Sequence, residues 1–285
     1  TFEMYEEIRQ ICMRAGKSGD LKDIKALIFM GGGDKAFAAG TDISRFKDFT
    51  STQDAIDYET RVDSVMEEIE TCAVPTIAAL NGFVTGGGAA IAGACTVRIG
   101  AEDIKVGVPI ARTLGNCLAI SNLRRFIALV GEPRVTYMLV TANLIDAAEA
   151  HSAGFISELL PDRDAVIARA RALGEEIATF APLSIQASRE GIRRLRVASP
   201  LPDDSDLIKL CYESADFKLM TRCPVLPQPD KSSPAKTLKN NNLIIPIEQD
   251  ELIIDENIDL SDLGVFNYSY LYFYMLIQNF FSGLL

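Results

Sequence analysis

Histidine is nearly missing: the chain of 285 residues has one, His151. Ser-His-Asp hydrolysis, His-rich metal sites and relays through several histidines have no material here, and no metal site is expected. A basic excess is missing too. The 28 Lys and Arg face 39 Asp and Glu, and the net charge of −11 argues against a nucleic-acid footprint. The six cysteines, Cys12, Cys72, Cys95, Cys117, Cys211 and Cys223, are scattered and form no CxxC. They read as reduced core residues in a reducing compartment, not as a disulfide framework. No secretory signal opens the chain. Neither glycine-rich loop fits the phosphate-loop pattern or the dinucleotide GxGxxG.

What is present suffices for one large core. Met4, Ile8, Ile11 and Cys12 recur at helical spacing from the first residues, so the chain starts in mid-helix and upstream sequence is expected to be missing. "IKALIFMGGG" (Ile24–Gly33) reads as a buried strand running into a glycine loop. "AIDYETRVDSVMEEIETCAV" is an amphipathic helix ended by Pro75, and "PTIAALNG" a second buried strand turned by Asn81-Gly82. "TVRIGAEDIKVGVP" gives two short strands, and helices are expected over most of Leu118 to Lys218. Strands first and helices later point to an α/β or α+β domain.

After Lys218 the character breaks. A stretch rich in Pro, Ser, Asn and Lys precedes an acidic run and an uncharged aromatic end of 23 residues. From Val225 onward three lysines face eight acidic residues, so −5 of the −11 lies there. We expect residues 1–218 to form the functional domain. Residues 219–285 read as a divergent tail, disordered or a non-native reading of the gene; the last 23 could also be an interfacial or aggregation-prone segment, while their Asn, Gln and Tyr make a poor membrane span and argue against a tail anchor.

Two loops attract attention, "GGGDKAFAAGTDI" (Gly31–Ile43) and "NGFVTGGGAA" (Asn81–Ala90), each directly after a strand. Glycine lets backbone approach a ligand and leaves N–H groups free to point at it. Two such loops side by side could aim two donors at one oxygen, as an oxyanion hole does. They could equally be two tight turns with glycines for packing.

"DKAFAAGTDI", "PTIAALNGFVTGGGAAIAGACTVRIGAED", "VGVP" and "LIDAAEAHSAGFISELLP", in this order and spacing, resemble the enoyl-CoA hydratase/isomerase (crotonase) family. The resemblance runs from Thr1 to Lys218. It implies a right-handed spiral of ββα turns with a helical C-terminal part, here lacking its N-terminal portion, and an assembly as trimer or hexamer. The implied ligand is an acyl-CoA thioester, with coenzyme A part of the substrate and no separate cofactor. The resemblance places the oxyanion N–H groups at Thr41 and Gly87, lines the CoA with Ala39, Gly40, Asp42 and Ile43, and lets Lys35 meet a CoA phosphate. The implied compartment is the cytoplasm, or the lumen of a mitochondrion or peroxisome if the missing N-terminus carries a signal.

Family hydratases use two glutamates, and the matching positions here are Ala90 and Ile110. Neither side chain can accept a proton, so the usual hydration mechanism is closed. Arg112 and Asn116 are the nearest polar residues in sequence to the second position. Asp42 is either a loop cap or a stand-in base. His151 is read as a helix-end residue, Arg124 and Arg125 as pairing across a helix or subunit contact, and Glu67-Glu68-Glu70 as a solvated face. Three functions remain open: an acyl-CoA enzyme with an altered site, a non-catalytic acyl-CoA-binding or assembly paralogue, and a truncated inactive product.

Overall fold

The structure, a computed structural model, describes residues 1–17, 21–199, 205–214 and 217, the side chains of residues 43–45 excepted. The tail expected over 219–285 lies outside the described residues. Two compact units divide the chain, Thr1–Tyr212 and Glu213–Leu285. In the second, the Phe217 N–H donates to Ser214 Oγ at 3.1 Å.

The N-terminal periodicity gives α1 (Phe2–Arg14), but on a face shifted from the expected one. Tyr5 and Cys12 are buried while Met4 is 58% exposed, because the ring of Tyr5 supplies the larger apolar surface. Thr1 is the N-cap: its hydroxyl accepts from the Met4 N–H at 3.3 Å.

Strand β1 (Leu27–Met30) alternates half-buried and exposed residues. The expectation of a buried strand fails because β1 lies at the edge of its sheet. That sheet orders β1, β3 (Thr76–Leu80), β5 (Val97–Ala101) and β8 (Glu158–Leu160), all parallel. A second sheet orders β2 (Ala36–Ala38), β4 (Phe83–Thr85), β6 (Lys105–Gly107) and β7 (Ile145–Asp146), with only the β6–β7 pair antiparallel. Each winding of the chain adds one strand to each sheet, which is the spiral that the motifs implied. Strands β7 and β8 fall within the stretch expected to be mainly helical.

Strand β3 is buried on both faces, which explains its unbroken apolar run. Ala78 and Leu80 enter the main core with α2 (Thr52–Thr71) and α3 (Gly87–Ala94). Ile77 and Ala79 pack instead with Val166 and Ala170 of α8 (Arg163–Ala178). Between them in sequence run α4 (Ile110–Thr113), α5 (Ile120–Val130), α6 (Glu132–Thr141) and α7 (Ala147–Ser152). His151 lies in the last turn of α7 and is exposed, and its carbonyl accepts from the Gly154 N–H. The unit ends with α9 (Pro182–Val197) and α10 (Ser205–Tyr212).

The solvated acidic face needs one correction. Glu70 has a side chain only 8% exposed and receives Arg125 at 2.9 Å and Arg196 at 2.7 Å. Arg125 also reaches Asp63 at 2.7 Å, so it pairs within the chain, from α5 to α2. Among the described residues no helix is long and apolar enough to cross a membrane.

Candidate active site

Strands β2 and β4 are parallel hydrogen-bonded neighbours, so the loops leaving them emerge side by side. The β2 loop carries Ala39, Gly40, Thr41 and Asp42 and runs into a 3-10 helix, Ile43–Asp48. The β4 loop is Gly86, which leads straight into α3. The two loops are pegged together by the Thr85 hydroxyl, which donates to the Ala39 carbonyl at 2.9 Å. Gly86 has φ 54°, which L side chains rarely adopt. A Cβ on Gly88 would strike the Ala38 carbonyl. Two of the three consecutive glycines are thus required, one by backbone conformation and one by close approach.

Thr41 and Gly87 come together: a Cβ on Gly87 would stand 3.0 Å from Thr41 Oγ1. Gly87 is the first residue of α3, and its N-cap Gly86 brings no capping side chain. The Gly87 N–H therefore has no partner within its own helix. Both residues are half-buried, whereas Ala39, Gly40 and Asp42 are exposed beside them. Ile43 opens the 3-10 helix. Lys35 is exposed at the start of β2, and its carbonyl accepts from the Phe83 N–H at 3.0 Å. Ala90 lies within α3 and is 3% exposed; Ile110 opens α4 and packs against the main core. Arg112 is exposed.

Four residues at this place escaped the sequence reading. The hydroxyls of Tyr5, from α1, and Tyr58, from α2, both meet Thr41 Oγ1 at 2.9 Å. Tyr5 also abuts Gly87, where an added Cβ would collide with its hydroxyl. Next to Tyr58 is Glu59, 7% exposed, which accepts from the Tyr212 hydroxyl of α10 at 2.7 Å. Asn116 Nδ2 approaches the same hydroxyl at 3.4 Å, and Asn116 Oδ1 is buried without a hydrogen-bond partner. Rings close around them: Phe46 and Tyr58 lie 4.8 Å apart, Phe2 and Tyr58 5.6 Å, Phe49 and Tyr212 6.3 Å. Burial pushes the phenols of Tyr5, Tyr58 and Tyr212 above the ordinary value, and the charge of Glu59 acts in the same direction. All three stay protonated at neutral pH.

One signal in the sequence marks this cluster. Ala55, Glu59, Val62, Met66 and Ile69 follow helical spacing, and all are buried in α2. A carboxylate among four apolar residues on one helix face is out of place unless it is paired or used.

The sequence profile described as enoyl-CoA hydratase/isomerase matches residues 4–207. The chain belongs to the enoyl-CoA hydratase/isomerase family. The crotonyl-CoA hydratase of Syntrophomonas wolfei is 32% identical over 201 residues, 68% of this chain and 75% of that protein. The short-chain-enoyl-CoA hydratase of Clostridium acetobutylicum is 29% identical over 199 residues, 69% of this chain and 75% of its own. A crystal structure titled as a putative enoyl-CoA hydratase/isomerase family protein of Hyphomonas neptunium superposes with a TM-score of 0.63 at 30% identity. It covers 78% of this chain and 84% of that one. The crotonase fold therefore stands on sequence and on structure.

Proposed function

We propose that this chain binds an acyl-CoA thioester and holds the enolate form of its carbonyl oxygen on the N–H groups of Thr41 and Gly87. The observation that carries the reading is the meeting of the two loops, with an N–H at the head of α3 that its own helix leaves unused. Donors fixed at a half-buried site stabilise developing charge far better than water does, and the positive end of α3 adds to them. Lys35, Ala39, Gly40, Asp42 and Ile43 lie along the CoA in this reading. Hydration by two glutamates is closed by Ala90 and Ile110. The reactions left are those that pass through an enolate without a carboxylate at those positions, such as double-bond isomerisation or decarboxylation, which make the protein an isomerase or a lyase. We further propose a homotrimer, supported by the exposed Leu183, Ile192 and Leu195 along α9. Reduced cysteines fit the cytoplasm or the lumen of a mitochondrion or peroxisome.

Calorimetric titration with acetoacetyl-CoA, an enolate-like ligand, tests the reading. The comparison is Tyr5→Ala with Tyr5→Ala/Gly87→Pro, since proline is tolerated at the first position of a helix and removes the proposed donor. Tyr5→Ala makes room for the ring. Binding lost in a folded Gly87→Pro protein supports the reading. Undiminished binding there, or no binding by the folded parent, removes it.

A further inference from the structure

We propose that Glu59 is the proton-accepting group of this site, taking a proton from the α-carbon of the bound acyl chain while Tyr212 holds its carboxylate in place. The proposal rests on the acyl-CoA reading and supplies the base that Ala90 and Ile110 do not. Among the described residues Glu59 is the one acidic residue buried as a whole. It sits one residue after Tyr58, whose hydroxyl donates to Thr41 Oγ1, so the helix that carries the carboxylate also anchors the loop with the first oxyanion donor. The carboxylate accepts from Tyr212 at 2.7 Å, and Asn116 approaches that hydroxyl in turn. The chain Asn116–Tyr212–Glu59 thus starts in the segment after Ile110, the second of the two apolar positions. The unpartnered Asn116 Oδ1 leaves a buried acceptor in the same place, suited to a water or a polar group of the acyl chain.

The step balances within the site. The Cα–H bond breaks, its proton passes to the Glu59 carboxylate, and its electron pair forms the carbon–carbon double bond of the enolate. The negative charge comes to rest on the thioester oxygen facing Thr41 and Gly87. Reversal returns a proton to Cα, and in heavy water it returns deuterium.

The test incubates the full chain with butyryl-CoA in heavy water and follows α-deuterium by mass spectrometry, with the Kd for butyryl-CoA measured by calorimetry. Glu59→Gln keeps an oxygen for the Tyr212 hydroxyl and discards the basicity. Exchange should fall about 100-fold or more with Kd unchanged, the range of a general base. Tyr212→Phe should lower the exchange rate without raising Kd, as a positioning residue does. Should Glu59→Gln not fold, Glu59→Ala/Tyr212→Phe removes both partners, leaves neither stranded, and should regain exchange when formate is added. Exchange by Glu59→Gln at the parent rate, or a parent that binds butyryl-CoA without exchanging it, overturns the proposal and leaves the acyl-CoA reading standing. A folded parent that binds no butyryl-CoA overturns that reading instead.

Discussion

The position of the Tyr5 hydroxyl against Gly87 can be tested by a double-mutant cycle. In Gly87→Ala the new methyl would strike the Tyr5 hydroxyl and stand 3.3 Å from Tyr5 Cζ and 3.0 Å from Thr41 Oγ1. Gly87 does not occupy the left-handed region, so the backbone accepts alanine and only the contacts oppose it. Overpacking of this kind costs about 2 kcal/mol. Tyr5→Phe alone removes one hydrogen bond to Thr41 Oγ1, which keeps the bond from Tyr58, at about 1 kcal/mol. Independent effects would bring the double variant to about 3 kcal/mol. With the hydroxyl gone, however, the methyl faces a ring carbon and Thr41 Oγ1, each of which need yield only by a few tenths of an ångström. The double variant should therefore lose about 1.5 kcal/mol, a coupling of similar size. Urea unfolding of the four proteins, followed by far-ultraviolet circular dichroism, measures it. Additivity to within about 0.5 kcal/mol would mean that the Tyr5 hydroxyl does not lie against Gly87.

Arg125→Met should be among the more damaging changes away from the site, because it removes the partner of Asp63 and leaves the buried Glu70 with Arg196 alone. The expected loss is about 3 kcal/mol, the low end for a broken buried pair. For a domain of this size that is a fall of about 6–12 °C in Tm by calorimetry, and a fall below about 2 °C would refute the tie. Alkaline stability follows from the three buried phenols. Their folded values lie above the ordinary value for a phenol, raised chiefly by burial. The stability they confer is complete below pH 10 and is lost as pH rises beyond it, since the unfolded chain then releases protons that the folded one keeps. Chemical denaturation between pH 9 and 11 should show that decline, with a shallower slope in Tyr212→Phe; equal slopes would contradict the burial of Tyr212.

The spiral and its two glycine loops were legible because they rest on local signals: an unbroken apolar run for β3, which is buried on both faces, and glycines where backbones touch. Thr41 and Gly87 were placed by motif, and the structure brings them together. The cluster around them was not legible, because Tyr5, Tyr58, Glu59 and Tyr212 come from α1, α2 and α10, and only packing makes them neighbours. The shifted face of α1 has a similar origin. A Met-Ile-Ile stripe and a Tyr-Ile-Cys stripe are one residue apart, and the contact with α2 decides between them. Glu70 misled for a plainer reason: three glutamates in four positions look solvated until two arginines from distant helices arrive.

The pairing of β2 with β4 gives the proposed site a ruler. Loops that leave adjacent strands start one strand spacing apart, about 4.8 Å. Two N–H donors at that separation, each about 2.9 Å from a shared oxygen, subtend an angle of about 110° at it. That is close to the spread of the lone pairs on a single oxygen. If Thr41 and Gly87 act as proposed, the pitch of the hydrogen-bonded lattice, common to every turn of the spiral, matches the bite that a two-donor clamp needs.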